Sequence, residues 1–132
     1  MRWIIAWVAA ALSFGVLDAL WLSWAGPNLY RPALGEVLAV EFRMGPALLF
    51  YACYISATVW FAVRPGLAQG VPHAVLNGAL LGAIAYATYD LTNQATLKVW
   101  SSQISVIDIA WGAAATALAA GIAALAALKL GR

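Results

Sequence analysis

The sequence predicts an all-α integral membrane protein: a four-helix bundle with a short interfacial helix between its first and second crossings. Three observations predict it. Of the 132 residues, 65% are hydrophobic and 9% charged, whereas an average soluble domain is about a quarter charged. The apolar residues fall into four runs divided by turn signals, and each run approaches the roughly 20 residues that a helix needs to span a bilayer. Ionisable residues inside those runs recur at helical spacing, so they share faces instead of ringing the helix. This length admits one transmembrane domain, residues 1–132, and no separate soluble domain.

The first crossing is predicted over about residues 3–24, ending before the turn signal Gly26-Pro27-Asn28. Met1-Arg2 and the apolar run after it resemble a signal peptide, but the run continues past Asp18 to Trp24. It is long enough to span, and a retained helix is the better reading. Phe14, Asp18 and Trp21 share one face, while Trp21 and Trp24 are placed for the interfacial aromatic belt.

Residues 32–43 are too charged to span and too apolar for free loop. Pro32 suits a first helical turn, and Leu34, Leu38 and Phe42 recur at helical spacing, which predicts a short helix lying at the surface. It would bring Glu36, Glu41 and Arg43 to the outlet of the first crossing.

The second crossing, about 44–63, has Pro46 near its start and is closed by Arg64-Pro65-Gly66. It carries little polarity and reads as structural. Its Cys53, the single cysteine, has no partner for an internal disulfide and reads as filler. His73, the single histidine, stands beside Pro72 at a helix entrance, where an interfacial role is expected and a metal role is not.

The third crossing, about 74–97, divides in two. Its first half holds Gly78 and Gly82, a G-x-x-x-G spacing that lets helix backbones approach closely. Its second half, Y-A-T-Y-D-L-T-N-Q-A-T-L-K from Tyr86 to Lys98, fills with hydrogen-bonding groups. Tyr86, Tyr89, Asp90, Asn93 and Thr96 share a face that lipid cannot satisfy. An aspartate in a membrane helix costs roughly 2.5 to 3.5 kcal/mol on insertion scales, so Asp90 calls for partners.

A short turn leads to the fourth crossing, about 104–128. Ser105, Asp108 and Gly112 share a face, and Ala113, Ala117 and Gly121 continue a small-residue seam. Asp108-x-x-Trp111 repeats the spacing of Asp18-x-x-Trp21, too short a match to claim an internal duplication.

With alternating directions of travel, Asp18 and Asp90 lie roughly 7 Å from their helix midpoints toward one membrane face, and Asp108 roughly 13 Å, at about 1.5 Å rise per residue. Arg43, Lys98, Glu36 and Glu41 reach the same side. Five carboxylates there face three basic groups, Arg31, Arg43 and Lys98. The excess predicts that at least one acid holds a proton or a cation, with Asp90 first in line and Asp108 paired to Lys98 or Arg43. The ligand-binding candidates are Asp18, Trp21, Glu41, Arg43, Tyr89, Asp90, Asn93, Thr96, Asp108 and Trp111. They form a conical, polar and acidic site in one leaflet.

Arg2, Arg64, Lys129 and Arg132 oppose the three basic residues of the other side, a margin of one that leans toward cytoplasmic termini. The net charge of +2 is too small and scattered for nucleic acid. Membrane lipid is the expected partner, with a homo-oligomer or a larger membrane complex as further expectations. No cofactor is indicated.

The segments F-G-V-L-D-A-L-W-L, E-F-R-M-G-P-A-L-L-F-Y, Y-D-L-T-N-Q-A-T-L-K-V-W and I-D-I-A-W-G together resemble a family of small bacterial inner-membrane proteins, a predicted membrane protein domain of unknown function. The resemblance spans nearly the whole chain. It implies four helices in a bacterial plasma membrane and singles out Asp18, Trp21, Glu41, Arg43, Tyr89, Asp90, Thr92, Asn93, Thr96, Asp108 and Trp111. It implies no activity.

Three functions compete. Binding or translocation of a small cationic, proton-coupled or amphipathic ligand would use the carboxylates, with Trp21, Trp111 and Tyr89 as apolar or cation–π walls. A lipid-modifying enzyme would need an acid pair as general acid and base, with Arg43 or Lys98 on a phosphate. An accessory or structural subunit would use the polar cluster only as helix-packing glue. Such bonds average about 0.6 kcal/mol and rarely offset three buried acids.

Overall fold

The computed structural model describes residues 1–131. Four helices are each long and apolar enough to cross a membrane: α1 (Arg2–Leu34), α2 (Met44–Gln69), α3 (Val71–Thr96) and α4 (Ser102–Leu130). Gly70 makes the one-residue reversal between α2 and α3 at φ +111°, a conformation that a side chain would strain. Ser101 starts α4, its hydroxyl accepting the Ile104 N–H at 3.1 Å, as a capping serine does.

Two of these helices run past the proline signals that were expected to end them. The reason is local: each contains a five-residue π-helical turn, Gly26–Tyr30 in α1 and Val59–Val63 in α2. The Arg31 N–H donates to the Gly26 carbonyl, and the Arg64 N–H to the Val59 carbonyl. In both helices an Arg-Pro pair follows at once, Arg31-Pro32 and Arg64-Pro65. Inside a regular α-helix a proline ring collides with the carbonyl four residues back. A turn widened by one residue moves that carbonyl away, and the helix continues.

The interfacial helix predicted over residues 32–43 does not form. Pro32 is taken up by the last turn of α1, and the Val37 and Leu38 N–H groups close on the Leu34 carbonyl. Residues 35–43 then run exposed and without a regular helix. Stripped of its proline-led first turn, the segment is too short to repay the cost of helix nucleation.

Helix α4 is the axis of the bundle and packs against both α3 and α1. Its buried positions include Asp108, Gly112, Thr116, Ala120 and Ala124, a stride of four. Helix α3 answers with Ala74, Gly78, Gly82 and Asp90 on the same stride, Tyr86 falling between the last two. A Cβ built on Gly78 would lie 2.7 Å from the Thr116 carbonyl oxygen, and one on Gly82 would lie 2.7 Å from the Gly112 carbonyl carbon. Glycine is required at both, because the opposing atoms are backbone and cannot yield. The seam therefore continues through Tyr86 and Asp90 and leaves Tyr89 and Thr96 exposed and Asn93 half-buried. A ridge of residues four apart stays in contact along a close helix pair, whereas the broader polar face drifts around to the outside.

Helix α2 closes the bundle through aromatic and hydroxyl contacts. Phe14 meets Tyr54 edge to face at 5.5 Å, the Tyr51 hydroxyl donates to the Ala11 carbonyl, and Tyr54 shares a 2.8 Å hydrogen bond with Thr116.

Candidate functional site

The site forms where α1, α3 and α4 meet, at the end of the bundle reached by the start of α4. Stride-of-four packing points Asp90 from α3 directly at α4, and it is completely enclosed. Neither of its carboxylate oxygens has a hydrogen-bond partner. Its carboxyl lies within hydrogen-bonding reach of that of Asp108, yet two carboxylates can only accept, so that contact requires a positive charge or a proton between them.

Asp108 is itself buried, and its Oδ1 accepts a hydrogen bond from the Tyr30 hydroxyl. That hydroxyl in turn accepts the Trp21 indole N–H at 2.9 Å. The expected pairing of Asp108 with Lys98 or Arg43 is thus replaced by a tyrosine: both cations are exposed, and Asp108 points inward from the first two turns of α4.

The two D-x-x-W segments face each other. Helices α1 and α4 run antiparallel, so Trp21 comes level with Asp108 and Asp18 with Trp111. The indole rings of Trp21 and Trp111 stack at 4.7 Å and 8°. Asp18, half-buried, lies beside the Trp111 indole N–H and within electrostatic range of Asp108, but no hydrogen bond closes on that N–H. Asp108 is accordingly the hub of the acids, with Asp18 on one side and Asp90 on the other.

A second polar network stands next to the first and is complete. The Ser105 hydroxyl donates to Gln94 Oε1 at 2.7 Å and receives the Trp100 indole N–H at 3.1 Å. Gln94 also donates to Ser102 at 2.8 Å, and Tyr89 meets Trp100 edge to face at 5.6 Å. These bonds knit α3 to α4 without touching the Asp90 carboxylate.

Of the ten candidates, the structure brings together Asp18, Trp21, Asp90, Asp108 and Trp111. It leaves Glu41 and Arg43 on the exposed 35–43 segment and Thr96 on the outside, where its hydroxyl returns to the Thr92 carbonyl. Tyr30 is the participant the sequence reading missed. Nine residues after Trp21, it would sit on the opposite face of a regular helix; the extra residue of the π turn rotates it by about 100°, and helical side chains lean toward the N-terminus. The two Arg-Pro pairs were the available sign.

Among the described residues, no three His, Cys, Asp or Glu side chains come together as metal ligands do. Two clefts lie away from the acids: an apolar groove between α1 and α4 beside Leu12, Val16 and Ile122, and a smaller cleft at the opposite end beside Arg2 and Arg64.

Residues 3–125 match the family model described as Predicted membrane protein (DUF2177). No match was found among curated proteins or among solved structures.

Proposed function

We propose a function from one premise: the chain belongs to the family described as Predicted membrane protein (DUF2177), whose function is unknown. The protein takes up a proton or a small monovalent cation at the Asp90–Asp108 pair, inside the membrane. The observation that carries this reading is an enclosed Asp90 whose two oxygens are unpartnered while a second carboxyl stands beside it. Side by side in a poorly solvated place, two negative charges repel strongly, and one positive charge relieves both.

Packing glue does not account for it. The Ser105–Gln94–Trp100 network and the Tyr54–Thr116 bond are what glue looks like in this bundle, with their polar groups joined. Asp90 contributes no side-chain bond of that kind. Its complete enclosure also favours a charge-sized ligand over a lipid or drug-like one, which would have to part α3 from α4. The Tyr30 hydroxyl and, behind it, Trp21 cover Asp108 from α1, and in this reading the charge enters at that end of the bundle. We place the protein in a bacterial plasma membrane, as the resemblance of its motifs implies, with both termini in the cytoplasm, an orientation supported by the one-residue margin of basic residues; the acids then open toward the outer face.

Infrared difference spectroscopy tests the site. A carbonyl stretch from a buried carboxylic acid is expected in the wild type, absent in Asp90→Asn and retained in Glu41→Gln. If no such band exists, calorimetric titration with Na⁺ and K⁺ should show saturable binding that Asp90→Asn abolishes. Absence of both the band and the cation binding would end the proposal.

A further inference from the structure

The end of the bundle away from the acids has its own chemistry. It carries Arg2 at the start of α1, Arg64 near the end of α2, His73 at the start of α3 and Lys129 at the end of α4. Among the described residues no Asp or Glu shares it: the first acid of the sequence, Asp18, lies about 24 Å further along α1. Arg2 and Arg64 converge there on a cleft of about 320 Å³ whose other walls are Trp3, Leu67 and Ala68. The Arg64 guanidinium lies 4.2 Å over the Trp60 ring, and Arg2 packs its stem against Gly131 at the end of α4. Both cations are thereby held by aliphatic or aromatic contact, and among the described residues no side-chain hydrogen bond engages their guanidinium groups.

We infer that this cleft binds the phosphate of an anionic phospholipid headgroup, taken laterally from the adjoining leaflet. Two guanidinium forks suit phosphate oxygens, which they grip with paired N–H donors. Trp3 and Trp60, both about half exposed, suit the interfacial level at which headgroups lie. Leu67 and Ala68 offer the apolar floor that a glycerol ester backbone needs and a free inorganic phosphate does not. Basic clefts between membrane helices take up anionic lipid by this same combination of charge and depth. The inference is independent of the Asp90–Asp108 reading, since the two sites share no residue.

Native mass spectrometry of the full chain, with phosphatidylglycerol or phosphatidylcholine added, tests it. Phosphatidylglycerol is expected to be retained in preference to phosphatidylcholine. Arg2→Gln and Arg64→Gln should each weaken that retention by about fivefold, the usual contribution of one basic residue at a charged leaflet. Lys129→Gln, at the same end but outside the cleft, should leave it nearly unchanged, and circular dichroism checks that each variant keeps its helices. Equal retention of the two lipids, unchanged retention in both arginine variants, or an equal loss in Lys129→Gln would overturn the inference. Displacement of the lipid by millimolar inorganic phosphate would also overturn it, in favour of a free-phosphate site.

Discussion

Gly82→Ala is expected to destabilise the bundle by about 3 kcal/mol, at the upper end of what overpacking costs. The methyl group would fall on the Gly112 carbonyl and 2.8 Å from the Thr116 hydroxyl oxygen. The seam offers little relief, because the Gly112 position is itself pressed against the Tyr86 ring. Helices α3 and α4 would have to separate, and since Tyr86 and Asp90 continue the same ridge, Asp90 would be drawn away from Asp108. Unfolding in a graded detergent or steric-trapping series gives the number. Gly45→Ala, with nothing within 4 Å of the added Cβ, is the control and should change stability by no more than about 0.5 kcal/mol. A Gly82→Ala protein as stable as wild type would mean that the backbones do not approach as described.

The second large effect is a difference of sign between neighbouring aspartates. At alkaline pH in buffer free of Na⁺ and K⁺, where the pair holds neither proton nor cation, Asp90→Leu should stabilise the fold by roughly 1 to 3 kcal/mol, the cost of a buried polar group that has no partner. Asp108→Leu should destabilise it by a similar amount, about 1 to 3 kcal/mol, because it leaves the half-buried Tyr30 hydroxyl without the acceptor for its proton. The same unfolding series measures both. If both substitutions destabilise, Asp90 serves as packing glue after all. A gain in stability joined to loss of the infrared band or the cation binding is the signature of a residue kept for its chemistry.

Much of this fold was legible from the residues. Four crossings, the glycine approach of Gly78 and Gly82, and the convergence of the acids toward one end all follow from spacing and from what lipid refuses to satisfy. What could not be read was phase. Tyr89, Asn93 and Thr96 belong to the polar face by average helical periodicity, but close packing selects every fourth residue and favours Tyr86 and Asp90. Glu41 and Arg43 failed for a different reason: their helix depended on Pro32, and α1 had already used it. Tyr30 was hidden because Gly-Pro-Asn is a turn in most settings, and only the following Arg-Pro pair marks the widened helix that carries it onward.

That widened stretch of α1 makes the site sensitive to how the helix winds there. A helix that kept all nine steps from Trp21 to Tyr30 but wound regularly would swing the hydroxyl about 100° away from Asp108. Loss of one residue among 26–29 together with the π turn would leave Tyr30 eight regular steps after Trp21, in the phase it already has. The π turn absorbs one surplus amino acid, and that absorption keeps α1 and Asp108 in register.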